Sequence, residues 1–530
     1  MGDDEHPALE AFLETPAAYG LAGEEPVERI DTHISTVFLA GERAYKLKKP
    51  VDFGYLDFTT CEKRHEACRH ELELNRRTAP DLYLRVLPVR RTAQGYALGE
   101  GEGPVTDWLL EMQRFDQDDL LAAKADAGTL SRETIEDLAA FLADFHQTAE
   151  VRRDSGGAAR FARVLASNEE NYAPFVGPVY DATLIERLEA RARTALDGIG
   201  PLLDARRDAG WVRHCHGDLH LANVTLWKGK PVPFDCIEFN DDFARIDILY
   251  DLAFLLMDLV FRAGGNPALS GFANAALNRY LQSLPQHELA ATLEGLRALP
   301  FFMSARAGVR SHVTARTWSA VTEAGRREDL AGRAVAYADL AIGLLEPQRP
   351  VLVAVGGLSG TGKTTLAREL APLLPGPAGA VHLRTDVLRK KLAGVPETER
   401  LPASAYTPAA SQAVYDEMTS LAKMALTAGQ TVICDAVFAR PGEREALEQV
   451  ARDTETAFKG LWLTAGADVM TARVEERGRH GRDASDATPE VVRTQLTYDL
   501  GEIGWEQVDA RGAPRDVCQR AAAFLNHTQP

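Results

Sequence analysis

The sequence is poor in cysteine and lacks the spacings that a metal site or a disulfide framework needs. Its 530 residues include six cysteines, and no two of them form a C-x-x-C pair. Both a zinc site and a set of disulfides are therefore disfavoured. Reduced thiols in a cytoplasmic protein are the simpler interpretation.

Long apolar runs are also missing. The longest one, residues 248–261, is interrupted by Asp251 and Asp258. The N-terminal stretch MGDDEHPALE is acidic and has no basic region followed by an apolar one. We therefore predict neither a membrane span nor a secretion signal.

Positive charge is scarce as well, because the net charge is −18. Most of this imbalance lies upstream of Pro347, while acidic and basic residues nearly balance downstream of it. Nucleic-acid binding depends on cationic groups that neutralise phosphates, so a nucleic-acid partner is disfavoured but not excluded. A small-molecule partner fits the sequence better, and the sequence does not indicate an oligomeric state.

Apolar residues make up 45% of the sequence, which is enough for more than one globular core. The clearest boundary is the segment 345–350, which contains two prolines and precedes the buried-strand pattern 351–355. We predict one domain over 1–345 and a second over 346–530. The first is expected to have a small β-rich lobe up to about residue 112 and a helical lobe over 113–345.

Hydrophobic periodicity supports this division. Strand pairs are predicted over 36–48 and 82–98 with a helix over 61–77 between them. Helical stretches are predicted over 131–148, 181–197, 246–262 and 289–323. Downstream, strands near 351–355, 380–384, 431–434 and 458–463 alternate with helices, which predicts a parallel α/β sheet.

The segment 213–223, RHCHGDLHLAN, places Asp218 and Asn223 five positions apart, and Asp235 follows in VPFDCI. Phosphoryl transfer to a hydroxyl needs a carboxylate that accepts the proton, and an amide and a second carboxylate that hold Mg²⁺. These three residues supply those groups in that order. The alternative is a helix cap beside an ordinary core strand.

This segment resembles the catalytic loop H-G-D-x-H-x-x-N of the aminoglycoside phosphotransferase and choline kinase branch of the protein-kinase-like fold. The resemblance implies that Asp218 is the catalytic base and that Asn223 and Asp235 are Mg²⁺ ligands. It also implies that His216 supports the loop and that His220 helps to order it.

A kinase-like site also needs a lysine on a small-lobe strand, paired with a glutamate on the following helix. We favour Lys46 over Lys48, and Glu71 over Glu73, although any of these could be a solvated charge. A Gly-x-Gly-x-x-Gly motif is absent from the small lobe, where residues 31–36 occupy the expected strand-turn-strand position. The choice between ATP and GTP therefore stays open.

The second motif is Gly357-x-x-x-x-Gly362-Lys363-Thr364, which follows a buried-strand pattern and precedes a helix-forming stretch. Such a loop cradles phosphates with its amides, while its lysine reaches the outer phosphates and its hydroxyl faces Mg²⁺. The predicted nucleotide-binding residues are Gly357, Gly360, Gly362, Lys363, Thr364 and Thr365. A coincidental glycine-rich turn is the alternative.

Residues outside the phosphate loop indicate which reaction it supports. Asp386 and Arg389 follow a predicted strand at the end where open α/β sheets bind ligands. Asp435 ends another strand and, with Thr364, is a candidate for Mg²⁺ or its water shell. The stretch 471–482 is similar to the arginine-bearing lid of small P-loop kinases, which closes positive charge over the phosphoryl group.

This pattern resembles the group of gluconate kinases, polynucleotide 5′-kinases and zeta-type toxins. The resemblance implies that Asp386 is the base, that Arg389 anchors the acceptor, and that Arg473, Arg477 and Arg482 stabilise the transition state. For the lid arginines, an exposed helix paired with Glu475 and Glu476 is the alternative.

The whole sequence is similar to a bacterial family in which an aminoglycoside-phosphotransferase-like domain is fused to a P-loop domain. The expected fold is therefore two-domain, α+β and α/β: a bilobal protein-kinase-like fold followed by a P-loop parallel sheet. The leading hypothesis is a bifunctional kinase that uses ATP or GTP with Mg²⁺. The alternatives are nucleic-acid 5′-end phosphorylation by the P-loop domain, and a nucleotide-controlled regulator.

Overall fold

The computed structural model describes residues 5–21, 26–54, 56–480 and 484–527, which group into two compact units. The first unit comprises Met1–Leu138, Phe145–Gly156 and Arg207–Leu255. The second comprises Ala139–Asp144, Gly157–Arg206 and Leu256–Pro530. The domain limits at 345/346 and the lobe limit near 112 remain predictions.

The strands and helices of the described residues run as follows. The strands are β1 Glu28–Asp31, β2 Ser35–Ala40, β3 Arg43–Lys48, β4 Tyr83–Thr92, β5 Gly95–Leu98, β6 Val105–Gln113, β7 Val212–His214, β8 Val224–Trp227, β9 Lys230–Pro233, β10 Arg245–Asp247, β11 Val351–Gly356, β12 Val381–Arg384, β13 Val432–Asp435, β14 Ala457–Thr464 and β15 Glu506–Asp509. The helices are α1 Glu5–Leu13, α2 Cys61–Asn75, α3 Leu121–Asp126, α4 Arg132–Thr148, α5 Gly157–Tyr172, α6 Ala182–Asp208, α7 Asp241–Ala244, α8 Ile248–Gly265, α9 Phe272–Ser283, α10 Gln286–Gly295, α11 Leu299–Ala320, α12 Ala324–Leu344, α13 Lys363–Leu370, α14 Thr385–Leu392, α15 Pro408–Thr427, α16 Pro441–Asp453, α17 Ala467–His480, α18 Pro489–Gln495 and α19 Pro514–His527.

The first unit contains a six-stranded antiparallel sheet with the order β1-β2-β3-β6-β4-β5. In β3, Tyr45 and Leu47 are buried in an apolar cluster with Phe38 of β2. Side chains alternate between the two faces of a strand, so Lys46 and Lys48 lie on the other face of β3. The apolar cluster therefore fixes which side of the sheet carries the two lysines.

Helix α2 contacts β4 and β6 and begins at a capped N-terminus. Thr60 Oγ1 accepts a hydrogen bond from the Lys63 amide at 3.3 Å, which satisfies one of the free amides at the helix start. Within the helix, Arg64 Nε donates to Asp107 Oδ1 of β6 at 2.9 Å, and both side chains are almost fully buried. This buried ion pair fixes the position of α2 relative to the sheet.

The second unit contains a five-stranded parallel sheet with the order β12-β13-β11-β14-β15. Its central strand β11 is buried almost throughout, and Val353 and Val355 pack in one core cluster with Ile433 and Leu461. Because the strands are parallel, their carboxyl ends lie along one edge of the sheet. The loop after β11 and the ends of β12 and β13 therefore meet there.

Strand β12 lies at the edge of this sheet, and two asparagines of α9 bind backbone groups of β12 and of the residues just before it. Asn274 Nδ2 donates to the carbonyls of Ala378 at 2.8 Å and Ala380 at 2.9 Å. Asn278 Oδ1 accepts from the His382 amide at 2.6 Å, and its Nδ2 donates to Ala380 at 3.0 Å. The two side chains thus occupy backbone groups that a neighbouring strand would otherwise pair.

Most predicted elements are present, with two informative differences. The stretch 289–323 is not one helix, because α10 ends at Gly295 and α11 begins at Leu299 with Pro300 in its first turn. Proline has no amide hydrogen, so it suits a helix start and not a helix interior. Strands β1, β6 to β10 and β15 were not predicted; β1 and β15 lack a buried-strand pattern, since all of β1 and all but Val508 of β15 are exposed.

Candidate functional site

The first predicted catalytic segment is the loop between β7 and β8 in the first unit. Asn223 Nδ2 donates to Asp218 Oδ2 at 2.8 Å and to the Asp218 carbonyl at 3.0 Å. His220 Nε2 lies 3.4 Å from the same Asp218 oxygen. The Asp218 side chain remains 37% exposed, so an acceptor can reach its carboxylate. Since Asn223 turns its nitrogen toward Asp218, its Oδ1 is the atom left for a metal.

His216 is buried at the start of this loop and bonds through both ring nitrogens. Its Nε2 lies 3.0 Å from the Phe234 carbonyl, and its Nδ1 lies 3.4 Å from the Asp218 amide. Burial lowers the pKa of His216, and this outweighs the opposing charge of Asp251. A neutral ring that donates from Nε2 and accepts at Nδ1 satisfies both contacts, which supports the predicted role in holding the loop.

Asp251 is a residue whose part in this site the sequence did not reveal. The fully buried carboxylate accepts hydrogen bonds from the amides of His216 at 3.1 Å and Gly217 at 2.9 Å. His146 Nε2 lies 3.1 Å from its Oδ2. The sequence does show Asp251 as a carboxylate within the apolar run 248–261. Because acidic residues are favoured near a helix start, that position had a simpler explanation.

The two candidate lysines of β3 both bind Glu71 of α2. Lys46 Nζ lies 2.7 Å from Glu71 Oε1 and 2.7 Å from Asp235 Oδ1. Lys48 Nζ lies 2.7 Å from Glu71 Oε2 and also binds Glu238. The structure thus brings together the favoured trio Lys46, Glu71 and Asp235, and it places Lys48 beside them.

These charges change one another's ionisation. Burial alone would lower the pKa of Lys46, but the carboxylates of Asp235 and Glu71 outweigh it and hold that pKa well above its ordinary value. Burial would likewise raise the pKa of Glu71, but Lys46 and Lys48 lower it to about 2. Burial would also lower the pKa of Lys48, but Glu238 and Glu71 hold it above its ordinary value, so both lysines and Glu71 are charged at neutral pH. The alternative partner Glu73 is exposed.

Asp235 lies just after β9 with a φ of 59°, which is uncommon for a residue other than glycine. Its amide donates to the Tyr83 hydroxyl at 3.0 Å, and the next amide, of Cys236, donates to Asn75 Oδ1 at 2.9 Å. These two bonds hold the backbone turn and leave the Asp235 side chain 44% exposed. Together with Asn223, it offers the oxygen ligands that Mg²⁺ prefers.

The second predicted site is the loop after β11 in the second unit. Gly357, Gly360 and Gly362 have φ values of 137°, 83° and 97°, in the region that other residues rarely adopt. A Cβ on Gly360 would come within 2.4 Å of the Met470 carbonyl oxygen, and one on Gly357 within 2.6 Å of the Leu463 carbonyl oxygen. The loop therefore requires glycine at 357 and 360 for both conformation and space, and at 362 for conformation alone.

Helix α13 begins at Lys363, so the amides of Lys363, Thr364 and Thr365 have no partner within the helix and are available to a phosphate. Thr364 Oγ1 lies 2.5 Å from Asp435 Oδ2 at the end of β13. Lys363 Nζ donates to the Leu358 carbonyl at 3.1 Å, and burial lowers its pKa. The structure thus brings the predicted metal pair Thr364 and Asp435 together, and their oxygens suit Mg²⁺.

Two residues of β12 that the sequence did not single out border Asp435. His382 Nε2 and Arg384 Nε each lie 3.6 Å from Asp435 Oδ2. Burial would raise the pKa of Asp435, but His382, Arg384 and Lys363 together lower it to about 2. Asp435 is therefore an anion at neutral pH, as a metal ligand must be.

Asp386 and Arg389 lie one turn apart in α14, directly after β12. Asp386 is in the first turn and is half-buried. Arg389 donates from one terminal nitrogen to the Ala405 carbonyl at 2.8 Å, and its guanidinium lies 4.8 Å from the Tyr406 ring centroid. Because α14 follows β12 directly, both residues lie beyond the carboxyl end of that strand, which is where we predicted that the acceptor binds.

The lid arginines occupy different surroundings. Arg473 donates to the carbonyls of Thr361 at 3.1 Å and Ala510 at 3.0 Å, so it contacts the phosphate loop itself. Arg477 donates to Ser485 Oγ at 3.1 Å. Arg482 lies outside the described residues. The catalytic, nucleotide-binding and metal-binding roles assigned from the sequence remain predictions.

Gln495, at the end of α18, also contacts the phosphate loop and was missed from the sequence. Its Oε1 accepts from the Ser359 amide at 2.7 Å. One turn earlier, Val492 packs with Met470 and Val474 of α17 and with Leu358 of the loop. Helix α17, which contains most of the predicted lid stretch 471–482, and helix α18 therefore pack directly against the phosphate loop.

Two parts of the chain match known protein families. Residues 43–288 match a family described as "Phosphotransferase enzyme family", and residues 352–498 match one described as "AAA domain". The predicted fold class, a kinase-like domain followed by a P-loop domain, is confirmed. Among the described residues, no helix combines the length and apolar character that crossing a membrane requires.

Relatives match over nearly the whole chain. The proteins Rv2004c of Mycobacterium tuberculosis and Mb2027c of Mycobacterium bovis are each 30% identical over 513 residues, covering 94% of this chain and 95% of theirs. Among solved structures, a choline/ethanolamine kinase family protein from Mesorhizobium loti matches with 12% identity, a TM-score of 0.36 and coverage of 64% and 99% of the two chains. Shikimate kinase from Acinetobacter baumannii matches with 17% identity, a TM-score of 0.25 and coverage of 35% and 97%.

Proposed function

The chain belongs to the family of the mycobacterial protein Rv2004c and joins a phosphotransferase domain to a P-loop domain, and from this premise we propose that it is a bifunctional kinase. That the protein is a nucleotide-using kinase follows from its two domains. The proposal adds that each domain transfers a phosphoryl group from ATP or GTP to a hydroxyl of a small molecule.

The contact of Lys46 with both Glu71 and Asp235, at 2.7 Å each, is the observation that carries the proposal. A lysine that bridges a helix glutamate and a metal-binding aspartate is the arrangement that a kinase uses to place nucleotide phosphates. The exposed part of Asp235 lets a nucleotide approach this lysine. If Lys46 and Glu71 formed only a structural ion pair, the exposed carboxylate of Asp235 would not be needed beside them.

In the proposed first reaction, the acceptor hydroxyl oxygen attacks the γ-phosphorus of the nucleotide. The bond from that phosphorus to the bridging oxygen breaks, and the nucleoside diphosphate leaves with the bonding electrons. The hydroxyl proton passes to the Asp218 carboxylate, which Asn223 and His220 hold in place. Lys46 positions the phosphates, and Glu71 keeps Lys46 charged.

The second reaction is proposed to follow the same bond changes in the P-loop domain. The amides at the start of α13 and Lys363 hold the phosphates, and Asp386 accepts the proton of the second hydroxyl. In both domains, bound Mg²⁺ would neutralise negative charge on the phosphates. Asn223 and Asp235 would hold it in the first domain, and Thr364 and Asp435 in the second.

The test is a transfer assay on the intact chain with γ-labelled ATP and GTP against sugars, amines, nucleosides and oligonucleotides. We expect Asp218→Ala and Asp386→Ala each to abolish labelling of one hydroxyl while leaving the other. The exposed Asp197 and Asp516 offer matched controls, since Asp197→Ala and Asp516→Ala should leave both activities unchanged.

Other outcomes identify other functions. If neither variant lowers any phosphotransfer, the bifunctional kinase is contradicted and the nucleotide-controlled regulator gains support. If Asp386→Ala alone abolishes 5′-end labelling of an oligonucleotide, the P-loop domain is a nucleic-acid end kinase. Labelling of one small molecule at two positions, each lost in one variant, supports the proposal in full.

A further inference from the structure

The K-x-K sequence of β3 produces two lysines that share one carboxylate. Lys46 binds Glu71 Oε1 and Lys48 binds Glu71 Oε2, each at 2.7 Å. Both oxygens of Glu71 therefore bind an ammonium group. Because the side chains of β3 alternate, residues 46 and 48 are the nearest pair that can reach α2 from the same face.

Each lysine also has a second partner in the segment that follows β9. Lys46 binds Asp235 at 2.7 Å, and Lys48 binds Glu238 three residues further along. Two lysines of one strand are thus joined to one helix carboxylate and to two carboxylates of one loop. The five side chains connect β3, α2 and the loop that carries the predicted metal ligand.

The two halves of this network differ in access. Lys48 and Glu71 are fully buried, and the Glu238 side chain is 4% exposed. The Lys46 side chain is 11% exposed and that of its partner Asp235 is 44% exposed. Lys46 can therefore meet a ligand from solvent, whereas Lys48 is enclosed by its partners.

We propose that Lys48 and Glu238 are positioning residues of the first nucleotide site, an inference that rests on the proposed function of that site. A nucleotide must draw Lys46 toward its phosphates and Asp235 toward its metal ion, which weakens the contact between these two residues. The Lys48 contacts with Glu71 and Glu238 do not face the nucleotide. They keep α2 and the loop tied to β3 while Lys46 changes partners.

Burial explains why Lys48 and Glu238 are suited to hold α2 and the loop in place and not to bind the nucleotide. Two charges removed from water are stable only when each has a close partner, so loss of either one leaves the other uncompensated. Lys48 has a carboxylate on each side and also lies 4.8 Å from the Phe58 ring centroid. Its position is therefore determined from three directions.

The test measures the affinity of a magnesium complex of a non-hydrolysable ATP analogue for the full chain. Lys363→Ala is present throughout, so that the P-loop site does not contribute. We expect Lys46→Met and Lys48→Met each to weaken binding by about tenfold or more, the effect of one lost charged hydrogen bond. In the double variant we expect no further loss beyond that of Lys46→Met, because Lys48 acts through Glu71 and Lys46.

Glu238→Gln should reproduce the Lys48→Met result, and Lys49→Met should leave affinity unchanged, since Lys49 instead binds Asp31 at 3.0 Å. Additive losses in the double variant would overturn the proposal in favour of direct phosphate binding by Lys48. Unchanged affinity in Lys48→Met, with only a lower unfolding midpoint, would overturn it in favour of a structural role.

These readouts do not depend on the acceptor. A chain that binds the nucleotide with the expected non-additivity, yet labels no acceptor, would contradict the proposed transfer reaction and leave the positioning role supported. Glu238→Gln keeps the shape of the side chain, so it provides a folded variant if Lys48→Met unfolds.

Discussion

The Gly217 amide lies 2.9 Å from Asp251 Oδ1, in the interior of the first unit. The same carboxylate accepts from the His216 amide through its other oxygen at 3.1 Å. A single buried side chain thus fixes two consecutive peptide groups directly before Asp218. Gly217 has a φ of 87°, and a Cβ there would lie 3.1 Å from the Phe243 carbonyl oxygen, so this turn has little freedom to adapt.

We expect Asp251→Asn to lower both stability and first-site activity. Asparagine can accept only one of the two amides through Oδ1, and its NH₂ group would face the other amide. A buried donor left unsatisfied costs about 1–3 kcal/mol. Urea unfolding should show this loss, and kcat of the first site should fall because Asp218 loses its fixed position. Asp197→Asn, at an exposed position, serves as the control. Unchanged kcat would show that the loop is held by other contacts.

The pKa of Glu71 predicts a specific dependence of stability on pH. Because the folded-state pKa of Glu71 is lowered from 4.5 to about 2, ionised Glu71 stabilises the protein at pH values above about 4.5. This contribution is lost as the pH falls from about 5 toward 2. We therefore expect the stability difference between wild type and Glu71→Gln to be largest at neutral pH and to shrink over that range. Urea unfolding at pH 7, 5 and 3 measures it, and a constant difference would contradict the assignment.

Gly360→Ala should abolish nucleotide binding in the P-loop domain. Its Cβ would come within 2.4 Å of the Met470 carbonyl oxygen, so either the loop or α17 must move. Gly442→Ala is the matched control, because a Cβ at that position in α16 meets no atom within 4 Å. Titration with a fluorescent ATP analogue compares the affinities of Gly360→Ala and Gly442→Ala. Asp235→Asn is present in both variants to weaken the first site. Equal affinities would show that the loop adapts to the extra atom.

Gln495→Leu tests whether α18 helps to order the phosphate loop. Leucine keeps a similar volume but removes the acceptor of the Ser359 amide. We expect nucleotide affinity of the P-loop domain to fall by about tenfold, the effect of about 1.4 kcal/mol. Thr494→Ala, one residue earlier and exposed, should have no effect. An unchanged dissociation constant in Gln495→Leu would show that the loop is ordered without this bond.

Residues that lie close together in the chain could be grouped into a candidate site from their spacing, whereas distant partners could not. Asp218 and Asn223 lie within one loop, and the glycines of the phosphate loop lie within six residues, so local spacing was sufficient to predict them. Asp251 lies 35 residues from His216, and Gln495 lies 136 residues from Ser359. No periodicity within one element indicates such pairs. Only packing brings them together.

The candidate lysines of the first site also show that spacing in the sequence does not reveal how the folded chain packs around a residue. The sequence analysis favoured Lys46, but spacing also indicated Lys48, because both lie on one face of β3. The choice depends on exposure, and exposure is set by the loop after β9. Strand β15 was missed for a related reason, since its sequence EQVD has one apolar residue and its place beside β14 depends on the finished sheet.

Asn274 and Asn278 of α9 bind the edge of the parallel sheet, although α9 lies well before β11 and the phosphate loop in the sequence. The hydrogen bonds of the sheet therefore involve a segment upstream of the phosphate-loop motif. A fragment that began at Val351 would leave the carbonyls of Ala378 and Ala380 and the amide of His382 on an open strand edge. Anyone who transplants the phosphate-loop module into another protein therefore has to carry α9 with it, or supply a substitute strand. Gene fusion joins modules at linkers, but in this protein a helix upstream of the predicted domain boundary at 345/346 covers the edge of the sheet.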